Sequence, residues 1–290
     1  MTHTRNKRNE MTRSIRLLPV ILVVAITLTL GVAATGLCAG GHHHSPWFEK
    51  LEEAELYFEL NNTDGDLGIH GKIDGGPWTK IWIKDPNHRE MMTVTSKGRL
   101  RRQAVTELFF ESAEPTFDKL APEDFFKRFP EGNYKIYGWP QKGKLLVGKS
   151  EIRHVIPAPP DGIEISGTLI NLKTVDCEDE ETVPEVTPEG NGDVIISWDD
   201  VESSHPTIGD AGDIEVALYQ LVVEMEVGDE FESVLSIDLP PDVTSMTVPA
   251  AFIELALDGD GEGEFKFEIL VKEEEGGNQT ATESCFAIGE

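Results

Sequence analysis

Alternation of apolar and polar residues dominates the C-terminal half of this chain. From Tyr219 to Val227, apolar residues occupy every second position, with Gln220, Glu224 and Glu226 among the residues between them. A similar run extends from Phe265 to Lys272. Because successive side chains of a strand point to opposite faces, each run has one apolar and one mostly polar face. An antiparallel sheet with one solvated face requires this pattern, so we predict that this half is entirely β.

Shorter alternating runs occupy the first half, at Leu56–Leu60, Ile81–Ile83 and Met92–Thr95. Such runs are separated by the turn-forming sequences Asp64-Gly65, Asp74-Gly75-Gly76 and Asp85-Pro86-Asn87. One helical turn is expected at 121–129, because Pro122 suits a first helical position and Pro130 ends a helix. We therefore predict an Ig-like β-sandwich over residues 54–156.

The length of 290 residues suits about two domains. Pro157, Pro159 and Pro160 mark the predicted boundary, because a short Pro-rich segment forms a semi-rigid joint. The predicted organisation is a signal helix at 1–40, a leader at 41–53, the Ig-like sandwich at 54–156 and a second sandwich domain at 157–290. The fold class is all-β, with two tandem antiparallel sandwiches.

The N-terminus has the pattern of a secretory signal. Arg13 and Arg16 precede an uncharged, apolar segment from Leu17 to Ala39, and small residues follow it. Cleavage after Ala39 is the first interpretation. Two alternatives remain open, namely an uncleaved membrane anchor and a lipoprotein modified at Cys38. The predicted location is secreted, periplasmic or at the cell surface, with membrane contact only through this segment.

The negative charge of the chain is concentrated in its second half. The net charge is −28, and residues 161–290 hold three Lys or Arg against 34 Asp or Glu. A region this acidic repels nucleic acid and anionic lipid, so we exclude both as its partners. Such an acidic surface attracts cations, basic partners or simply water.

Several segments of the second half occur in a characteristic order. They are Val194–Trp198, Tyr219–Glu224, Thr247–Phe252, Phe265–Val271 and Glu283–Phe286. These segments resemble strands B, C, E, F and G of a fibronectin type III domain over about residues 184–290, with Trp198 as the core tryptophan. The family usually carries a tyrosine in strand F, where this chain has Phe265 and Phe267. The resemblance implies an adhesive or spacer module and names no ligand.

A disulfide between Cys177 and Cys285 is expected. The chain has three cysteines, and Cys38 lies in the signal segment, so cleavage leaves two. In an oxidising compartment such a pair is usually bridged, although two buried thiols remain the alternative. The resemblance places Cys285 on the last strand, where a bridge would anchor the acidic segment around Cys177.

Motifs for catalysis are missing from the sequence. It has no Gly-x-Ser-x-Gly, no His-Glu-x-x-His, no phosphate-binding glycine loop and no Cys-x-x-Cys. Beyond the run His42–His44, the histidines are scattered in the sequence. We therefore predict that the protein is not an enzyme and needs no organic cofactor.

Two acidic loops are candidates for Ca²⁺. The first alternates carboxylates with glycines at Asp258, Asp260, Glu262 and Glu264, which could curl oxygen atoms around the ion. It lacks the full spacing of an EF-hand, and an acidic loop tip is the alternative. The second loop is Asn62–Asp66, where Leu67 stands in place of the glycine of an EF-hand.

His42 is a candidate for a different metal. Cleavage after Ala39 would expose Gly40-Gly41-His42, whose amine, amides and imidazole form a square-planar nitrogen set for Cu²⁺ or Ni²⁺. A polar leader with incidental histidines is the alternative.

Two further groups could bind a partner. The basic residues Lys97, Arg99, Arg101 and Arg102 could bind an anionic polysaccharide or dock against the acidic second domain, and a solvated strand edge is the alternative. Four tryptophans could stack on sugars or pack in the core, and they are Trp47, Trp78, Trp82 and Trp139.

The predicted function is non-catalytic binding, adhesion or scaffolding outside the cytoplasm, with an extracellular protein or glycan as the partner. The alternatives are a carbohydrate-binding accessory of a secreted hydrolase system and a metal-binding envelope protein. An exposed aromatic platform in the first sandwich would favour carbohydrate, whereas converging carboxylates would favour a cation.

Overall fold

A computed structural model describes residues 47–227, 231–258 and 263–289, and they belong to one compact unit. The strands are β1 (Phe48–Lys50), β2 (Glu53–Asn61), β3 (Asp66–Lys84), β4 (Glu90–Thr95), β5 (Val105–Glu111), β6 (Gly132–Pro140), β7 (Leu145–Ile152), β8 (Glu164–Ile165), β9 (Thr168–Leu169), β10 (Glu185–Val186), β11 (Val194–Ser197), β12 (Val216–Val227), β13 (Phe231–Leu239), β14 (Ser245–Val248), β15 (Glu264–Glu273) and β16 (Gln279–Ile288). The helices are α1 (Gly98–Gln103), α2 (Pro122–Arg128) and α3 (Ala250–Asp258). The all-β prediction is confirmed.

The long strand β3 organises the first half of the fold. Its N-terminal part pairs with β2 and β5, and its C-terminal part pairs with β4 and β6. Leu56, Phe58 and Ile73 from the first part share one buried cluster with Ile81 and Ile83 from the second. The two parts of the bent sheet therefore pack over a single core, to which α2 adds Phe125 and Phe126.

The predicted turn at Asp74-Gly75-Gly76 is wrong, because β3 continues through these residues. Its pairing registers shift between Asp74 and Lys80, so the strand bends there without reversing its direction. Gly75 lies close to Leu51, and a Cβ atom on it would lie 3.0 Å from Cδ2 of that side chain. A glycine at this position suits a bend as well as a turn, and the sequence alone did not distinguish the two.

The second half is a β-sandwich over its own core. One sheet has the order β14-β11-β8-β9, and the facing strands follow the order β16-β15-β12-β13. Trp198, Tyr219 and Phe265 lie in the buried cluster between them. The segments compared above to strands B and E thus share one sheet, and those compared to C, F and G share the other, as in Ig-type sandwiches.

The strand predicted over Thr247–Phe252 is partly wrong. Strand β14 ends at Val248, and α3 begins at Ala250. The carboxylate of Asp193 accepts a hydrogen bond of 2.8 Å from the backbone N–H of Ala250, which satisfies a donor at the start of the helix. Because Asp193 is 57 residues away in sequence, no local pattern announces this helix start.

The two cores share a continuous sheet. β16 of the second half pairs in parallel with β2 of the first, with Gln279 opposite Glu59 and Ala281 opposite Asn61. The predicted leader also contributes, since β1 pairs in parallel with β7. The division into two domains at residue 157 remains a prediction.

The predicted disulfide is confirmed. Cys177 and Cys285 are bridged, with 5.8 Å between their Cα atoms. Cys285 is fully buried on β16, and the bridge holds the segment around Cys177 to this strand. β10 then pairs in parallel with the end of β16 at Ala287 and Ile288.

Candidate binding surfaces

An aromatic and basic surface lies on the C-terminal part of β3 and on its neighbours β6 and β7. Residues at even positions of β3 point away from the core there, because Ile81 and Ile83 point into it. The cross-strand register places Trp82 opposite Tyr137, and Lys80 opposite Trp139. We call this surface the aromatic–lysine face, and its members are Lys80, Trp82, Lys84, Lys135, Tyr137, Trp139 and Lys149.

The rings of the aromatic–lysine face are already arranged against each other. The Trp82 and Tyr137 rings stack with centroids 5.3 Å apart and an interplanar angle of 17°. Nζ of Lys80 lies 5.2 Å from the centroid of the Trp82 ring. The Trp139 side chain remains 61% exposed. Such a surface offers flat rings and cationic groups to a ligand.

The four tryptophans of the sequence prediction divide between surface and core. Trp78 is buried, and its Nε1 donates to the carbonyl of Thr106. Trp47 is exposed, next to β1. Sequence patterns did not predict the contribution of Tyr137 and the lysines, because it depends on the register between β3 and β6, which are distant in sequence.

A second surface is acidic, and it centres on His70 in the N-terminal part of β3. His70 lies directly opposite Tyr57 of β2 and opposite Glu111 of β5. Its side chain is 1% exposed, and its Nε2 lies 2.8 Å from Oε1 of Glu114. Oε2 of Glu59 lies 3.9 Å from Nδ1. Sequence patterns did not predict this group, because its members are spread over β2, β3, the end of β5 and the segment that follows β5.

The electrostatics of the acidic surface reflect an excess of carboxylates. Burial raises the pKa of Glu59 to about 7, an effect that His70 opposes and that Glu114 and Glu111 increase. Burial also raises the pKa of Asp66 to about 7, helped by Glu114. For His70, burial disfavours the charged ring, but the hydrogen bond to Glu114 and the nearby carboxylates outweigh it and raise the pKa.

A shallow groove of about 430 Å³ lies beside α2. Its lining includes Phe126 and His154, whose rings stack with centroids 4.6 Å apart. Glu131 and Asp210 at its rim lie within reach of the imidazole. This group is already engaged, because Nε2 of His154 lies 2.8 Å from the Phe129 carbonyl and Glu131 accepts the backbone N–H of His154.

The metal ligands predicted from the sequence lie mostly outside the residues that the structure describes. His42, Asp260 and Glu262 lie outside the described residues, as does the side chain of Asp258. Glu264 begins β15, and among the described residues it belongs to neither group that could hold a metal. The Ca²⁺ and Cu²⁺ sites therefore remain predictions.

The basic cluster lies on a helix and not on a strand edge. Arg99, Arg101 and Arg102 belong to α1, and Lys97 precedes it. All four residues are exposed. The period-two patterns on either side gave no sign of this short helix, and binding by the cluster remains a prediction.

Comparison with known proteins provides no family. No family model matches the chain, and no curated protein matches its sequence. Among solved structures, the chain is similar to the FN1–FN3 domains of chicken CNTN1, with 10% identity, a TM-score of 0.33 and coverage of 85% of this chain and 66% of that one.

Two further structures are similar. The BSP domain of a biofilm associated protein has 10% identity and a TM-score of 0.22, with 83% and 30% coverage of the two chains. Trypsin activated alpha-2-macroglobulin from Escherichia coli has 10% identity and a TM-score of 0.23, with 81% and 15% coverage. This chain thus spans at most 66% of the three structures. Superpositions this loose carry no functional argument.

Within the described ranges, no helix is long and apolar enough to cross a membrane.

Proposed function

We propose that this chain is an exported, non-catalytic β-sandwich protein that binds an anionic polysaccharide through the aromatic–lysine face. The observation that carries the proposal is the stacked pair Trp82–Tyr137 beside the exposed Trp139, with lysines around them. The signal-like N-terminus and the disulfide support export, because disulfides persist in oxidising compartments.

The aromatic rings suit a sugar because their surfaces are flat and held in place. Trp82 and Tyr137 lie on paired strands and stack, so binding orders few side chains and costs little conformational entropy. The apolar C–H face of a sugar ring packs against such a surface, while its hydroxyl groups stay in water.

The lysines make an anionic glycan the better partner than a neutral one. Lys135 of β6 lies directly opposite Lys149 of β7. Like charges opposite each other destabilise an antiparallel pair, and a bound carboxylate or sulfate would relieve this repulsion. The same positive charge makes binding sensitive to salt.

Calorimetric titration of the full chain with a polyuronate and with a neutral glucan tests the proposal. We expect the polyuronate to bind more tightly and its affinity to fall as salt rises. Trp139→Ala should weaken binding about tenfold, since an aromatic contact contributes about 1 kcal/mol or slightly more. Lys135→Gln should weaken binding to the polyuronate and leave any binding to the glucan unchanged.

Leu169→Ala is the matched control, because Leu169 is 64% exposed and lies on β9, outside the aromatic–lysine face. Circular dichroism establishes that each variant is folded. Equal affinities of Trp139→Ala and Leu169→Ala would contradict the proposal. If the protein binds neither glycan and instead forms a dimer that Trp139→Ala disrupts, the aromatic–lysine face is a contact between two copies of the chain.

A further inference from the structure

We infer that His70, Glu111 and Glu114 bind a divalent transition-metal ion such as Zn²⁺, on a surface separate from the aromatic–lysine face. One ligand atom from each of these residues lies within 4.8 Å of the other two. An imidazole nitrogen with carboxylate oxygens is a donor set that suits Zn²⁺, whereas Ca²⁺ takes oxygen ligands alone.

The ligand atoms around Nε2 of His70 need to move only slightly to accommodate a metal ion. Nε2 lies 2.8 Å from Oε1 of Glu114. Around a tetrahedral Zn²⁺ with bonds of about 2.0–2.2 Å, two ligand atoms lie about 3.3 Å apart. An outward movement of the Glu114 carboxylate by about half an ångström therefore admits an ion between the two atoms. Glu111 is exposed, so the ion would face solvent on that side and could take water as a further ligand.

The other nitrogen of His70 provides independent support. His70 is 1% exposed, and in the part of the chain that the structure describes its Nδ1 has no hydrogen-bond partner. Leaving a buried polar atom without a hydrogen-bond partner is unfavourable, so we expect Nδ1 to gain a partner in the functional state of the protein. A metal at Nε2 would make Nδ1 the protonated nitrogen, and Glu59, at 3.9 Å, could then close in and accept its hydrogen. Metal-bound histidines commonly donate in this way to a carboxylate.

Glu114 is placed at the site by the backbone of the segment that follows β5. The hydroxyl of Ser112 accepts a hydrogen bond from the backbone N–H of Ile69, and the backbone N–H of Ser112 donates to the carbonyl of Ile69. Thr116 forms an isolated antiparallel β-bridge with Asp66. Glu111 pairs with His70, and Thr116 pairs with Asp66. Five residue steps separate Glu111 from Thr116, but only four separate His70 from Asp66. The segment after β5 therefore contains one extra residue, which forms a bulge. The bulge directs the Glu114 side chain over β3.

Gly68 provides the space that Glu114 occupies. A Cβ atom at this position would lie 2.7 Å from Cδ of Glu114 and in direct collision with its Oε1. Gly68 also lies opposite Glu59 on β2. Gly68→Ala therefore displaces one proposed ligand while all the ligand residues remain in the chain.

The charges around His70 also favour a divalent cation. Glu59, Glu111 and Glu114 carry up to three negative charges around one imidazole. A protonated ring neutralises one of them, whereas a divalent ion with a neutral ring neutralises two. Glu59, His70 and Glu111 lie on three strands of one sheet, and Glu114 follows the third strand by three residues. Folding of the sheet therefore brings these groups together before any ion binds.

Zn²⁺ titration of the full chain by calorimetry at neutral pH tests the inference. His42, His43 and His44 are replaced by Ala throughout, so that the N-terminal histidines do not contribute. We expect one tight Zn²⁺ per chain, bound at least tenfold more weakly by Gly68→Ala and by His70→Gln. Glu59→Gln should weaken binding by about tenfold to a hundredfold, as partners of metal-bound histidines generally do.

Glu107→Gln is the matched control, because Glu107 is an exposed carboxylate on β5 opposite Asp74. It should bind Zn²⁺ like the parent. Melting curves in EDTA establish that each variant is folded, and Glu114→Gln replaces Gly68→Ala if the alanine variant is unfolded. Equal Zn²⁺ affinity of the control and the site variants would overturn the inference, as would displacement of Zn²⁺ by an equal concentration of Ca²⁺. The absence of Zn²⁺ binding by the parent would overturn it too, and none of these results bears on the polysaccharide proposal.

Discussion

At the scale of single residues, Glu268 shows the effect of placing many carboxylates on one sheet. It lies on β15 directly opposite Glu283 of β16. Burial raises its pKa to about 8, and the charges of Glu283, Glu59 and Glu224 contribute. At neutral pH the folded protein therefore holds a proton on this side chain that the unfolded chain, with an ordinary pKa of about 4.3, has released.

The stability of the metal-free protein should consequently fall as the pH rises. The contribution of Glu268 is fully present below a pH of about 4 and is lost as the pH passes about 8, because the folded state binds more protons over this range. Glu268→Gln keeps the shape and removes the titration, so its stability should change less with pH. Urea unfolding in EDTA across this range measures the effect, with the exposed Glu107→Gln as the control. A slope for Glu268→Gln equal to that of the control would refute the assignment.

At the scale of elements, the contact between β2 and β16 depends on the turn that precedes β16. Asn278 in this turn is fully buried. Its Oδ1 accepts the backbone N–H of Phe58, and its Nδ2 donates to the carbonyls of Arg153 and Val155. One side chain thus joins β2, the chain after β7 and the turn between β15 and β16.

Asn278→Ala should destabilise the protein by about 2–4 kcal/mol, because it leaves three backbone groups unpaired, most of them buried. Asn171→Ala is the control, since Asn171 is exposed and its side chain bonds within its own turn. We expect the control to change the free energy of unfolding by less than about 0.5 kcal/mol. Chemical denaturation of both variants provides the comparison, and similar losses would show that the Asn278 bonds do not hold the junction.

At the scale of the whole molecule, two buried clusters lie against one continuous sheet. One cluster takes its buried residues from Leu51 to Ile156, and the other from Ile163 to Phe286. The β2–β16 pairing, the Asn278 bonds and the ion pair of Lys272 with Glu55 cross between the two halves. Each half therefore completes part of the other's sheet.

We accordingly expect residues 47–289 to unfold in one cooperative transition. Scanning calorimetry should show a single peak whose calorimetric and van't Hoff enthalpies agree. Separation of the peak into two would instead support two independently folding domains divided near residue 157. Repeating the scan with Asn278→Ala indicates whether the junction provides the coupling.

Local sequence was sufficient to predict several strands and their inward faces. Tyr219–Val227 and Leu56–Leu60 were assigned correctly because a period of two is a property of each segment alone. The helix α2 followed in the same way from Pro122 and Pro130. The disulfide could be predicted because cleavage of the expected signal segment would leave two cysteines, and the resemblance placed one of them on the last strand.

Contacts between segments that are distant in sequence could be seen only in the tertiary structure. The helix α3 is capped by Asp193, and the bend in β3 exists because its two parts meet different partners. Both candidate surfaces depend on the same kind of contact, with Trp82 beside Tyr137, and His70 beside Glu111. An alternating sequence determines which face a side chain occupies, but the free energy that selects its neighbour comes from the packing of whole strands. Only the folded chain therefore shows which carboxylates surround an imidazole and which rings stack.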